Sequence, residues 1–279
     1  MCQEFSFLAS DKALTTACTN GHNLLAVAGH EEVVYLFDLA TKRKIGELAG
    51  EHSQNITAVQ ATKTHVLSGG QDGQIVIWRY RDMEVVHTLK VKNVSPVKAM
   101  SLHPSGRMCL ALYQNGVLRL WNLLDARCHF KKKVGLEDSS SSEEEDDDES
   151  EDSDDNEVQK HLLNKYQHTP ESVIWEPSEG KLYAVLFTRK LEVYSVENDK
   201  PLHSLEFDTV QTSLCFISAT TLLITDTKAR LTLLSNICDP EKVKMKLLET
   251  QLVKIRHAEC FQGKFVSTIS KKGIEFWDC

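Results

Sequence analysis

Residues Ser68 to Trp78 read "SGGQDGQIVIW", and the order of the parts decides how this chain folds. Small residues come first, then an Asp-Gly pair, then an alternating apolar run closed by tryptophan. Asp72-Gly73 between two apolar runs predicts a tight turn joining antiparallel strands, with Gly73 supplying the positive φ that such turns need. Side chains alternate along a strand, so Ile75 and Ile77 share one face and pack against a neighbouring sheet. Trp78, once buried, needs an acceptor for its indole N–H. Ser68 and His52 are placed to bridge that N–H to Asp72, through a chain of hydrogen bonds that ties the turn to the sheet.

The arrangement recurs. Alternating runs ending in a large residue appear as "VVYLFDL" (33–39), "IVIWRY" (75–80), "VLRLWNL" (117–123), "LEVYSV" (191–196), "LTLLSN" (231–236) and "IEFWDC" (274–279). Their anchors are Phe37, Trp78, Trp121, Tyr194, Leu234 and Trp277, at spacings of 41, 43, 73, 40 and 43 residues. Removing an insert of about thirty residues from the long interval restores the period. Each unit also carries earlier apolar runs, such as "ITAVQATKTHVLSGG" and "VKAMSLHPSGRMCLALY", broken by turn formers such as Pro104-Ser105-Gly106 and Pro177 to Gly180. Short strands repeated at this period predict an all-β chain of four-stranded propeller blades. Six blades are recognisable, and seven, the commoner number, stays open.

Ring closure predicts that "EFSFLAS" near the start forms an outer strand beside "GIEFWDC", since an unpaired edge invites aggregation. The expected organisation is one propeller domain: blades one to three with the closing strand over 1–134, an acidic Ser/Asp/Glu insert over 135–168, and blades four to six over 169–279. The chain has 279 residues and a net charge of −8, but the charge is concentrated. Glu137 to Glu157 holds fourteen acidic residues and no basic one, which leaves 32 basic against 26 acidic residues elsewhere. Such a tract cannot bury enough apolar surface to fold, so it is expected to stay disordered in an inter-blade loop. Lengthening that loop costs only about 1 kcal/mol of closure entropy.

No basic start followed by an apolar stretch opens the chain, and no run reaches the roughly 18 apolar residues of a membrane span. The expectation is a chain neither secreted nor membrane-bound. Eight cysteines are scattered without a C-x-x-C pair or zinc spacing, which predicts reduced thiols in an intracellular compartment, no metal and no cofactor.

His52, Ser68, Asp72 and Trp78 together resemble the His–Ser–Asp–Trp structural tetrad of WD-repeat proteins. A catalytic Ser/His/Asp set is the rival reading, but the repeat positions and the tryptophan partner already account for all three residues. At the aspartate position the other units carry Glu31, Asn115, Thr188, Lys228 and Lys271, which predicts weaker hydrogen-bonded bracing there with the strand pattern intact. Residues 101–134, "SLHPSGRMCLALYQNGVLRLWNLLDARCHFKKKV", and 173–196, "VIWEPSEGKLYAVLFTRKLEVYSV", are similar to the p21-activated-kinase-interacting family of WD-repeat proteins, nuclear factors in large ribosomal subunit assembly. That resemblance implies a nucleolar, non-catalytic scaffold in ribosome biogenesis and pre-rRNA maturation. Its implied partners are ribosomal proteins and assembly factors of the pre-large-subunit particle and the rRNA backbone, with one copy held in a larger complex. The alternative it implies is negative regulation of p21-activated kinase through the kinase's regulatory region.

Two basic or acidic features carry candidate sites. Ser139, Ser140, Ser141, Ser142, Ser150 and Ser153 lie among acids, like substrates of acidophilic kinases, and each phosphate would add about −1.5 to −2 charges. Lys131, Lys132 and Lys133 read in two ways, as charges protecting an exposed edge strand or as contacts to phosphate and a weak nuclear import signal. No Gly-rich phosphate loop, metal-ligand cluster or paired carboxylates outside the acidic tract points to an enzyme.

Overall fold

The computed structural model describes residues 9–92, 94–135, 169–239, 241–248, 255, 257–261, 265–270 and 273–278. The six candidate phosphoserines and nearly all of the acidic insert lie outside these residues, as does most of the expected closing strand. The described chain is all-β, with antiparallel pairing throughout and no helix. It divides into two compact units, Met1–Lys132 and Lys133–Cys279.

In the first unit, β1 (Leu14–Thr19), β2 (Leu24–Gly29), β3 (Val34–Asp38) and β4 (Arg43–Leu48) form one sheet in chain order. The second sheet holds β5 (Ile56–Ala61), β6 (His65–Gly70), β7 (Ile75–Arg79) and β8 (Glu84–Leu89). The third holds β9 (Val97–Leu102), β10 (Met108–Tyr113), β11 (Val117–Asn122) and β12 (Arg127–Lys133). In the second unit, β13 (Pro170–Trp175), β14 (Leu182–Phe187), β15 (Lys190–Ser195) and β16 (His203–Glu206) make the fourth sheet. The fifth comprises β17 (Gln211–Ser218), β18 (Thr221–Asp226), β19 (Leu231–Ser235) and β20 (Lys244–Leu248), and the sixth β21 (His257–Phe261), β22 (Phe265–Ser270) and β23 (Gly273–Asp278).

Each sheet is one sequence repeat, and each anchor is the penultimate residue of its third strand. The alternation explains why the repeats need neighbours. On β7, Val76 and Trp78 pack with Leu36 and Val34 of the first sheet, while Ile75 and Ile77 pack with Met100, Ala111 and Trp121 of the third. A strand buried on both faces cannot satisfy itself within one sheet, and each large side chain so covered contributes about 1.5–3 kcal/mol. The same logic runs through the second unit, where Val193 of the fourth sheet meets Phe216 and Leu234 of the fifth. Outer strands are the exception: β8 runs exposed for its first three residues and is buried only at Leu89.

Candidate functional site

The second sheet brings the four tetrad residues together. Asp72 lies in the turn between β6 and β7, where Gly73 has φ +73° and its amide donates to the Gly70 carbonyl at 3.1 Å. The His52 Nδ1 lies 3.0 Å from Asp72 Oδ2, and its Nε2 lies 2.8 Å from Ser68 Oγ. Trp78 Nε1 donates to the same Ser68 oxygen at 2.8 Å. A carboxylate only accepts, so Nδ1 donates to Asp72, and in the neutral imidazole Nε2 accepts from the serine hydroxyl. The chain therefore runs in one sense, from indole to serine to imidazole to carboxylate. Two backbone amides, Ser53 and Gln74, donate to the other lone pairs of Asp72 at 3.0 Å each.

This is the spacing of a nucleophilic triad, but it lacks what a nucleophile needs. Ser68 is 0% exposed, and the Trp78 N–H occupies its oxygen. His52, Asp72 and Trp78 are also buried. The four groups satisfy one another and nothing reaches them, so the arrangement fastens a turn to a sheet.

The other repeats replace the tetrad in different ways. In the first sheet, Glu31 accepts from the Ser10 and Tyr35 hydroxyls, and these two bonds, Ser10 first, hold its carboxyl below the usual range. In the third, Asn115 Oδ1 accepts from the Val117 amide at 3.2 Å. Ala111 stands where Ser68 would be, and among the described residues Trp121 Nε1 and Tyr113 Oη meet no partner at normal hydrogen-bond geometry. Burial pushes the Tyr113 phenol up to about 12, against a smaller downward pull from the neighbouring indole. In the fourth sheet, Thr188 donates to the Thr169 carbonyl, and the anchor Tyr194 donates a hydrogen bond from its hydroxyl to Glu192, which is also ion-paired with Lys190 at 2.9 Å.

The fifth sheet departs from the expectation of weakened bracing. Its turn matches the second's bond for bond. Asp226 donates to Arg230 O as Gly70 does to Gln74 O, and Ala229 to Asp226 O as Gly73 does to Gly70 O. Lys228 thus sits at the aspartate position, yet Asp226, two residues earlier, supplies the carboxylate. Asp226 Oδ1 accepts from the Lys228 and Arg230 amides at 2.9 Å each, and Oδ2 from Thr209 Oγ1 and Arg230 Nε at 2.7 Å each. Burial alone would raise this carboxyl, but these donors outweigh it and hold the group below the usual range. Reading only the fixed repeat position misses Asp226, Arg230 and Thr209. The fifth-sheet stretch "TDTKAR" (225–230) contained the signal, an aspartate closing a strand four residues before an arginine.

Trp277 lies on β23 and Lys271 outside the described residues. Lys131 and Lys133 are exposed on β12, with Lys132 half-buried between them. Lys131 helps to line a cavity of about 500 Å³ that Lys90, Lys92 and Arg119 also face. No group of three or more His, Cys, Asp or Glu among the described residues could hold a metal ion. The six described cysteines are free, and burial pushes the thiols of Cys18 and Cys109 up to about 12, which makes them packing groups at neutral pH.

The WD domain, G-beta repeat family matches residues 43–79, the stretch from β4 through the Trp78 anchor. A "p21-activated protein kinase-interacting protein 1-like" protein of Danio rerio is 25% identical over 213 residues, covering 76% of this chain and 48% of that protein. Its counterpart in Gallus gallus is 23% identical over 279 residues, covering 99% of this chain and 65% of its own length. "Shk1 kinase-binding protein 15" of Schizosaccharomyces pombe is 29% identical over 121 residues, 42% of this chain and 35% of that protein. The chain thus spans from about a third to about two-thirds of these relatives' lengths. A chain in the crystal structure of a mitotic checkpoint complex shares the fold with TM-score 0.70 at 14% identity, over 92% of this chain and 71% of that one. The repeat match, the six successive sheets and this likeness give the chain a WD-repeat β-propeller fold, and it is similar across up to nearly its whole length to the p21-activated protein kinase-interacting protein 1-like proteins.

Proposed function

We propose that this chain is a non-catalytic scaffold in large ribosomal subunit assembly and pre-rRNA maturation, working in the nucleolus as one copy within a larger complex. The observation that carries the scaffold reading is the tetrad. The one sequence constellation with catalytic residue types is buried, mutually satisfied and fully used in holding a turn. What the repeats then offer to the outside is a set of rigid strands and loops on which partners dock. The ribosomal part is supported by the family resemblance of residues 101–134 and 173–196, and by the acidic tract at 137–157, whose charge suits basic ribosomal proteins. The test is sedimentation of tagged chain through a gradient. Co-migration with large-subunit precursors, and accumulation of unprocessed pre-rRNA on its depletion, is the expected result; migration only at the top of the gradient refutes it.

As a second reading we infer negative regulation of a p21-activated kinase through its regulatory region; the names of the relatives, a kinase-interacting and a kinase-binding protein, support the kinase contact. Purified kinase and chain decide it. Pull-down of the regulatory segment with reduced activity supports it, and unchanged activity at saturating chain ends it.

A further inference from the structure

One charged cavity in the first unit lies beside the third sheet's Asn115 and its anchor Trp121. Lys90 and Lys92 line it from the connection between β8 and β9, Arg119 from β11 and Lys131 from β12, together with Val91, Val117 and Trp121. No carboxylate lines it. Some cations elsewhere are matched: Lys44 with Glu47, Arg79 with Asp82 and Glu84, Arg230 with Asp208 and Asp226. None of the four cavity cations has such a partner among the described residues. Arg119 is held instead by weaker contacts, its guanidinium 5.8 Å from the Tyr113 ring centroid and its Nη1 3.9 Å from Cys128 Sγ. Four like charges converging on apolar walls repel one another and focus a positive field outward, which an incoming anion relieves.

The surroundings say what kind of anion fits. Among the described residues β12 ends its sheet and pairs only with β11, so its outer row of backbone donors and acceptors has no strand beside it there and can take an added one. Its sequence "RCHFKKK" carries four cations and no acid. A single-stranded nucleic acid would want exposed ring faces to stack on, and Trp121, the aromatic residue of the lining, is only 5% exposed. We propose that this edge docks an acidic peptide of a partner protein, laid along β12 with its carboxylates over Lys90, Lys92, Arg119 and Lys131 and its apolar side chains on Val91 and Val117. The proposal rests on the scaffold reading and gives the chemistry of one partner.

The test uses the full chain and a fluorescein-labelled peptide of alternating Glu and Leu, followed by anisotropy. The expected result is binding that weakens with salt and falls roughly tenfold or more in the Lys90→Glu/Lys92→Glu/Lys131→Glu variant. A charge-matched variant, Lys12→Glu/Lys63→Glu/Lys200→Glu, changes it less than about twofold. All six lysines are exposed, and equal thermal midpoints show that both variants fold. Equal loss in the two variants overturns the proposal, as does an oligouridylate probe that binds through the same three lysines when the peptide does not. Peptide binding seen only after the fourteen acids of 137–157 are neutralised also overturns it, because the chain's own tract is then the occupant. Co-sedimentation is read separately: its absence with peptide binding intact sinks the assembly role and spares this site.

Discussion

The second and fifth sheets solve one mechanical problem with different residues. In both, a carboxylate accepts from the amide just before the third strand, Gln74 in one and Arg230 in the other. In the second sheet that carboxylate hangs from Asp72, and Gly70 must stay bare, since a Cβ there would lie 2.5 Å from Asp72 Oδ1 and 2.6 Å from His52 Nδ1. In the fifth sheet the side chain grows from the position matching Gly70, and the same space is filled from the other direction. The anchors follow suit. Trp78 brings an N–H and has Ser68 to receive it, while Leu234 brings none and shares an apolar cluster with Ile224, which stands where the serine would be. What the fold requires is a filled, satisfied turn and a large buried anchor, with the particular residues left open.

The comparison makes predictions of decreasing size. Both anchors act mainly by burial, so Trp78→Ala should cost about 3–5 kcal/mol and Leu234→Ala about 2–5 kcal/mol in urea unfolding. If Leu234→Ala proves nearly silent, the two anchors are not equivalent. Asp226→Asn should cost about 1–3 kcal/mol, because it removes a charged acceptor from four donors. The folded-state pKa of Asp226 is lowered, so its contribution is complete above the unfolded value near 3.9 and lost as pH falls through the folded value. The gap between wild type and Asp226→Asn should therefore close on acidification below about pH 4, and a gap constant down to that range contradicts the assignment.

Transplanting the fifth-sheet solution sharpens the comparison further. Gly70→Asp alone forces its side chain into Asp72 and His52, whereas Gly70→Asp with Asp72→Lys removes the competitor. The double variant should be more stable than the sum of the singles by about 1 kcal/mol or more, and strict additivity would show that the two turns are unrelated. The smallest effect concerns Ala229, which holds φ +60° where Gly73 holds +73°. Ala229→Gly should gain up to about 1 kcal/mol by relieving a left-handed conformation that glycine adopts freely; a loss in thermal midpoint would mean that its buried methyl outweighs that relief.

Fold and tetrad were legible because they are written at fixed offsets. The anchors at 37, 78, 121, 194 and 234 recur with the repeat, and an Asp-Gly turn followed by alternating isoleucines leaves few conformations open. The Asp226 cluster was not legible in that way. Its aspartate lies two residues off the repeat position, and it works because Thr209 and Arg230, 17 residues before and four after it in the chain, meet it. The basic cavity was hidden for a related reason. Lys131 stood out in the "KKK" run, but Lys90, Lys92 and Arg119 are ordinary isolated cations in the sequence.

The amino-acid order by itself determined the repeat, the strand faces and the one complete tetrad, since period-two alternation and turn chemistry act between residues close along the chain. Tertiary structure decided which carboxylate braces each turn and which cations share a cavity. Those outcomes depend on distances between side chains far apart in sequence, and hydrogen bonds and fields respond to distance in space alone.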